Sequence, residues 1–244
     1  MNLCIDIGNS TSKVGVFENN KLNYSFLFKN IIKINEIKQI CNRFAIDACI
    51  VSSTAKADFE IINFLKEKTP FVIELNEKTN IPITNCYKTP QTLGNDRLAA
   101  VVGANFLLPK TDIIVVDAGT AITFDFIDAD KNYYGGAISP GLSMRFRALN
   151  EFTGRLPLVE IIENQNIELI GNDTQTSILS GVVNGFIYEI DGFINDLKNK
   201  YPALAVITTG GNAEFLAERL KNQTLIEKSL VLIGLNQILK INVK

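Results

Sequence analysis

Two stretches of the chain, CIDIGNSTSKVGVF at 4–17 and IIVVDAGTAITFDF at 113–126, carry the same pattern: an apolar run, then Asp-x-Gly, small polar residues, and a second apolar run. An apolar run bounded by turn residues and rich in Ile and Val reads as a strand buried on both faces. Such a strand has no packing reason to end on a carboxylate. Gly8 leaves no side chain to block a ligand at the turn, and the backbone N–H groups and hydroxyls that follow suit a polyphosphate, with Lys13 adding positive charge. Asp6 and Asp117 are then placed to hold cations, the two turns facing each other across a cleft. One such turn alone reads better as a plain tight turn after a strand; its recurrence reverses that and favours a site. The first turn lacks the Gly-Lys-Ser/Thr ending of a P-loop, and no G-x-G-x-x-G follows a strand, so this is a different phosphate-binding design.

The recurrence extends beyond the turns. Leu3–Ile7, Ser12–Glu18 and Leu22–Phe28 predict three strands, the last two joined at Asn19-Asn20, which tolerates the positive φ of a tight hairpin. Apolar residues at helical spacing predict a helix over Ile31–Phe44, a buried strand follows at Ala48–Val51, then a helix over Ala57–Lys68 and a strand over Phe71–Leu75. After Asp117 the order repeats: a third strand at Tyr133–Ile138, helices at Leu142–Asn150 and Thr174–Lys198, a strand at Ala205–Thr209 and a helix beyond Gly210-Gly211-Asn212. The fold class expected is α/β, two copies of a β-β-β-α-β-α-β unit, residues 1–110 and 111–244, with an interdomain cleft. Gln91–Leu108 predicts a helix crossing between the halves and placing Gly94-Asn95-Asp96-Arg97 beside that cleft, where ligands tend to bind. Leu158–Ile170 receives no assignment.

Composition narrows the chemistry. The chain has no histidine, which excludes Ser-His triads, His-ligated zinc and imidazole acid/base work. Its net charge of −2 offers no basic field for nucleic acid; Lys29, Lys33 and Lys38 read as a solvated face. Cys4, Cys41, Cys49 and Cys86 form no C-x-x-C pair and read as structural thiols. Neither a leader pattern nor a membrane-length apolar run is seen, so a cytoplasmic location and no membrane partner are expected.

The ordered set Asp6-Ile7-Gly8-Asn9-Ser10, Gly94-Asn95-Asp96-Arg97, Asp117-Ala118-Gly119-Thr120, Gly135-Gly136-Ala137-Ile138-Ser139-Pro140-Gly141 and Thr153-Gly154-Arg155-Leu156-Pro157 closely resembles the type III pantothenate kinases across nearly the whole chain. That family has the actin-like, sugar-kinase-like ATPase fold. The resemblance implies transfer of the ATP γ-phosphate to the primary hydroxyl of pantothenate, the first step towards coenzyme A. It further implies that Asp6, Ile7, Gly8, Asn9, Ser10, Thr11, Ser12 and Lys13 embrace the ATP phosphates, Asp6 near Mg²⁺, that Thr120 also contacts ATP, and that Asp117 binds a monovalent cation, K⁺ or NH₄⁺.

By the same resemblance Asp96 is the general base, which takes the proton of the attacking alcohol. Arg97 would clamp the pantothenate carboxylate, beside Gly94 and Asn95 in the same motif. Tyr87 and Thr174 match positions lining the substrate pocket, Thr174 reaching in from the second subunit of a homodimer. On the residues alone, Asp96 reads equally as a helix N-terminal acid and Arg97 as a surface ion pair, while Tyr87 reads better as a half-buried loop tyrosine and Thr174 as a helix N-cap. The Ile178, Val182, Phe186, Ile190 and Phe193 stripe, with Gly181 and Gly185, suits either a core helix or a dimer face. Two positions depart from the family pattern: Asn95, where a small residue is commoner, and Asp173, where Asn is often found.

Two other functions compete. The same fold could phosphorylate a sugar or acetate, or hydrolyse ATP, although such relatives are longer. Alternatively the chain is an ATP-binding regulatory accessory protein without kinase activity; intact Asp6, Asp96 and Asp117 argue against it.

Overall fold

The computed structural model describes residues 1–53, 59–162 and 165–243. In chain order the elements are β1 (Asn2–Ile7), β2 (Ser12–Glu18), β3 (Lys21–Phe28), α1 (Ile34–Arg43), β4 (Ala48–Ser53), α2 (Phe59–Lys68), β5 (Phe71–Glu74), β6 (Thr84–Asn85), α3 (Asn95–Leu107), β7 (Ile113–Ala118), β8 (Ala121–Ile127), β9 (Asn132–Pro140), α4 (Leu142–Glu151), α5 (Thr174–Lys200), β10 (Ala205–Thr209), α6 (Ala213–Ala217), β11 (Leu225–Ile226) and α7 (Leu230–Asn242). They form two compact units, one of Met1–Thr111, Phe126–Gly135 and Ser229–Lys244, the other of Asp112–Asp125 and Gly136–Lys228.

The first unit is built on a sheet ordered β3-β2-β1-β4-β5, antiparallel from β3 to β1 and parallel from β1 to β5. β1 and β4 are buried almost throughout, which is why they read as unbroken apolar runs, whereas the edge strand β3 mixes exposed and half-buried positions. Leu3, Ile5 and Val51 from the sheet join Ile37 and Ile40 of α1 and Ile61 and Leu65 of α2 in one core. The expected Asn19 turn has φ +55°.

Helix α1 starts at Ile34 rather than at the predicted Ile31, because the residues before it are used as an extended entry. Ile32 is buried and its N–H donates to Ser12 Oγ at 3.0 Å, while the Lys33 N–H donates to Glu36 Oε2 at 2.7 Å and closes the helix end. The predicted start of α2 at Ala57 lies outside the described residues.

Helix α3 also begins later than the predicted Gln91. Pro90–Thr92 form a single 3₁₀ turn, and Leu93 and Gly94 are extended, Gly94 at φ −60°, ψ 130°, so the helix opens at Asn95. The small residues along α3 pack it closely against α7, a helix to which the sequence reading assigned nothing. A Cβ at Gly234 would lie 1.8 Å from the Ala99 carbonyl oxygen, so the two backbones nearly touch there. Asn236 of α7 is fully buried; its Oδ1 accepts from Asn2 at 2.9 Å and its Nδ2 donates to the Asn19 carbonyl at 2.8 Å.

The second sheet is ordered β11-β10-β7-β8-β9-β6. Its first five strands in chain order, β7 to β11 with β6 set aside, repeat the arrangement third, second, first, fourth, fifth seen in the first sheet. In α5 the stripe Ile178, Val182, Phe186 and Ile190 is buried within the unit, which makes it a core stripe, and Phe193 stacks on Phe124 with ring centres 4.4 Å apart. Gly181 and Gly185 are exposed with open space beside them. Among the described residues no helix is long and apolar enough to cross a membrane.

Candidate active site

Asp6 is the penultimate residue of β1, in register with Lys13 of β2 on one side and Ser52 of β4 on the other. Ser52, fully buried, donates its hydroxyl to Asp6 Oδ1 at 3.0 Å, so a carboxylate that is itself only 8% exposed is held in one orientation. The turn beyond is closed by the Gly8 N–H donating to the Thr11 carbonyl at 3.0 Å. Asn9, Ser10 and Thr11 are exposed at its tip, whereas Ile7 and Ser12 point into the protein. The Ser12 hydroxyl donates to the Asn30 carbonyl at 3.2 Å and accepts from Ile32, so its side chain ties the turn to the segment after β3.

The first turn of α3 presents Asp96 and Arg97. Asp96 Oδ1 accepts the Arg97 N–H at 2.8 Å, and a carboxylate there is favoured by the helix dipole. Arg97 is buried to 7% exposure, with its guanidinium 5.8 Å from the Tyr87 ring centre. Tyr87, half-buried in the loop after β6, donates its N–H to Asn85 Oδ1 at 3.0 Å and stacks on Tyr133 with ring centres 6.3 Å apart. Its ring also lies against Gly135, where φ is +92° and a Cβ would come within 2.6 Å of Tyr87 Cδ2. Asn95 turns elsewhere: its Nδ2 donates to the Leu75 carbonyl at 2.9 Å. Tyr87, Gly94, Asp96 and Arg97 are thus brought together, while Asn95 faces the sheet.

In the second unit Asp117 stands near the end of β7, in register with Thr209 of β10. Gly210 follows with φ +88°, and a Cβ on it would lie 2.4 Å from Asp117 Oδ1, so only glycine lets the carboxylate occupy that place. The Gly119 N–H donates to the Ala121 carbonyl at 3.1 Å, and Thr120 is exposed at the turn. Thr209 Oγ1 is buried without a hydrogen-bond partner among the described residues, which is unusual for a buried hydroxyl and fits a place where another polar group belongs.

Asp6 and Asp117 both offer hard oxygen at a strand end, suited to Mg²⁺ or an alkali cation. Among the described residues no cluster of three or more His, Cys, Asp or Glu side chains could cage a metal. This donor set fits Mg²⁺ carried mainly by a nucleotide's own phosphates rather than by a protein cage.

Thr174 is the first residue of α5, and the N-cap is Asp173, whose Oδ1 accepts the Thr176 N–H at 2.8 Å. The hydrogen bond from the Thr176 backbone, foremost, holds the Asp173 carboxyl below its ordinary range. Thr174 is exposed on the wall of a cavity of about 1110 Å³ lined also by Arg145, Leu149, Phe152 and Ile178. Arg145 donates to the Pro140 carbonyl at 2.8 Å and pairs with Glu189 of α5.

Ser52, Gly210 and Thr209 escaped the sequence reading. Ser52 and Thr209 acquire their partners through parallel strand pairing over long sequence separation, with Gly210 next in the chain, and the only trace was that β4 and β10 end in hydroxyl residues.

The type III pantothenate kinase family matches residues 2–196. A type III pantothenate kinase of Phocaeicola vulgatus is 45% identical over 245 residues, covering 100% of both chains. Among solved structures, a Campylobacter jejuni protein described as a candidate Baf family transcriptional activator aligns with TM-score 0.64 and 25% identity over 98% of each chain. Lmo2764 of Listeria monocytogenes, described as a candidate N-acetylmannosamine kinase, aligns with TM-score 0.59 and 16% identity over 100% of this chain and 99% of its own. The fold is therefore the sugar-kinase and actin-like one, and the chain belongs to the type III pantothenate kinase family.

Proposed function

We propose that the chain phosphorylates pantothenate with ATP, giving 4′-phosphopantothenate and ADP, the first step of coenzyme A biosynthesis. The observation that carries this reading is the first turn of α3, where Asp96 and the buried Arg97 stand side by side with Arg97 against Tyr87. Arg97 pairs with the pantothenate carboxylate, Tyr87 and the Gly94-Asn95 backbone line the substrate, and Asp96 takes the hydroxyl proton. The new bond joins that oxygen to the γ-phosphorus, and the bond from the γ-phosphorus to the β–γ bridging oxygen breaks, leaving ADP.

Asp6 to Lys13, with Thr120, bind ATP. The exposed turn tip and the Ser52-oriented Asp6 support that assignment. Mg²⁺ bound with ATP supplies neutralisation of the phosphate charge, and Asp6 is the residue that would hold it. Asp117, with the orphaned Thr209 hydroxyl as its register partner, would hold K⁺ or NH₄⁺. Positioning and charge neutralisation supply most of the catalysis in phosphoryl transfer, which is the work these groups suit.

The matching strand orders of the two sheets support a chain built as two copies of an actin-like, ribonuclease H-like unit, residues 1–110 and 111–244. Exposed Thr174 on a large apolar-walled cavity supports a homodimer in which it serves the partner's substrate pocket. The same reading places the protein in the cytoplasm.

The test is ADP release from purified protein with ATP and Mg²⁺, with and without pantothenate, in potassium and in sodium. Pantothenate-dependent release that needs potassium supports both the substrate and the Asp117 assignment. ATP binding without turnover in either salt would favour a regulatory accessory role, the class named for the Campylobacter jejuni protein.

A further inference from the structure

Asn95 stands inside the substrate motif, yet its side chain does not face the substrate groups. Its Nδ2 donates to the Leu75 carbonyl at 2.9 Å, and the Leu75 N–H in turn donates to the Val51 carbonyl at 2.9 Å. Val51 precedes Ser52, whose hydroxyl holds Asp6. The first turn of α3 is thereby tied, through Leu75 and β4, to the strand that orients the phosphate-site aspartate. The N-cap of α3 is Gly94, which has no side chain to offer, and the Asp96 carboxylate accepts the Arg97 N–H within the same turn. The Asn95 amide, donating to a carbonyl outside the helix, ties this first turn to Leu75.

We infer that Asn95 is a positioning residue that sets the place of Asp96 and Arg97 relative to Asp6. This rests on the proposed pantothenate kinase reading for its catalytic consequence, and on geometry alone for the anchor. A helix that shifts by about an ångström moves its base out of reach of the hydroxyl, a displacement that costs on the order of 10²-fold in rate.

The experiment uses the full chain and three variants. Asn95→Leu keeps the volume without the donor, Asn95→Ala removes both, and Asn95→Gln keeps an amide donor on a longer arm. Two readouts are taken: kcat and KM for pantothenate and for ATP, and amide hydrogen exchange at Leu98, whose N–H donates to the Gly94 carbonyl across the first turn at 3.1 Å. Asn95→Leu and Asn95→Ala are expected to lower kcat at least tenfold, leave the ATP KM within twofold, and speed exchange at Leu98 at least tenfold. Asn95→Gln is expected to recover part of both losses. Unchanged exchange at Leu98 in Asn95→Leu overturns the anchor, and faster exchange with unchanged kcat overturns its positioning role. If the unaltered protein releases no ADP with pantothenate, the kinase reading fails instead, and the exchange measurement still decides the anchor.

Discussion

The Tyr87 ring is held between two neighbours, the Arg97 guanidinium at 5.8 Å from its centre and the backbone of Gly135. Gly135 allows this because its φ of +92° and its missing Cβ both suit the space the ring occupies. Gly135→Ala forces a Cβ to within 2.6 Å of the ring, so the ring must shift from its place against Arg97. Overpacking of this kind costs about 1–3 kcal/mol, and the displaced ring should raise the pantothenate KM about tenfold with little change in the ATP KM. Steady-state kinetics on Gly135→Ala check this; a pantothenate KM within twofold of the parent would detach Tyr87 from the substrate.

Ser52 is the donor that keeps Asp6 oriented. Removing it leaves a buried carboxylate short of a hydrogen bond, and such a loss costs roughly 1–3 kcal/mol. Ser52→Ala should therefore lower the denaturant midpoint and raise the KM for Mg·ATP, while Ser52→Thr, which keeps the hydroxyl, should restore most of both. Equal behaviour of the Ala and Thr variants would make the effect one of packing.

Asp96 is asked to take a proton, and a positioned base contributes about 10²- to 10⁴-fold. Asp96→Asn keeps the shape and can still meet the Arg97 N–H through its carbonyl oxygen. The variant should lose that factor in kcat while calorimetry finds ATP binding within about twofold of the parent. Kinetics indistinguishable from the parent would remove Asp96 from the base role.

Local pattern made much of this molecule legible. β1 and β7 were readable because β-branched apolar runs ended in Asp-x-Gly, and the Asn19 turn because its residue type tolerates the positive φ it adopts. Helix α7 was not: LVLIGLNQILKIN is mostly apolar, and its outward stripe of Ile233, Gln237 and Lys240 is too narrow and too mixed to stand out from a buried run. The start of α3 was misplaced because Gln91 to Leu93 can be helical by composition, and the extended Gly94 that excludes it is a backbone fact. The site divides the same way. Asp6, Asp96 and Asp117 announced themselves by motif, whereas Ser52 and Thr209 became partners only when parallel strands set the register, a pairing that no local window contains. Asn95 was visible, but nothing in the motif tells that its amide turns to the Leu75 carbonyl.

Asp173 gives a pH prediction with a definite sign. Its carboxyl caps α5 through the Thr176 N–H at 2.8 Å, and that hydrogen bond, with help from the Thr176 side chain and the Gln175 backbone, outweighs slight burial and lowers its pKa in the folded chain. A free aspartate titrates near about 3.9. The folded state therefore holds this proton less tightly than the unfolded one, so the cap's contribution is complete above that value and is lost as pH falls through the lower, folded pKa. Asn caps a helix about as well as Asp, so Asp173→Asn should keep the first turn and make it insensitive to acid. The Thr176 amide resonance, followed by NMR from neutral to acid pH, should move with a midpoint below about 3.9 in the parent and stay level in the variant. A parent midpoint at or above that value would mean that the carboxylate is not bonded to the helix end in solution.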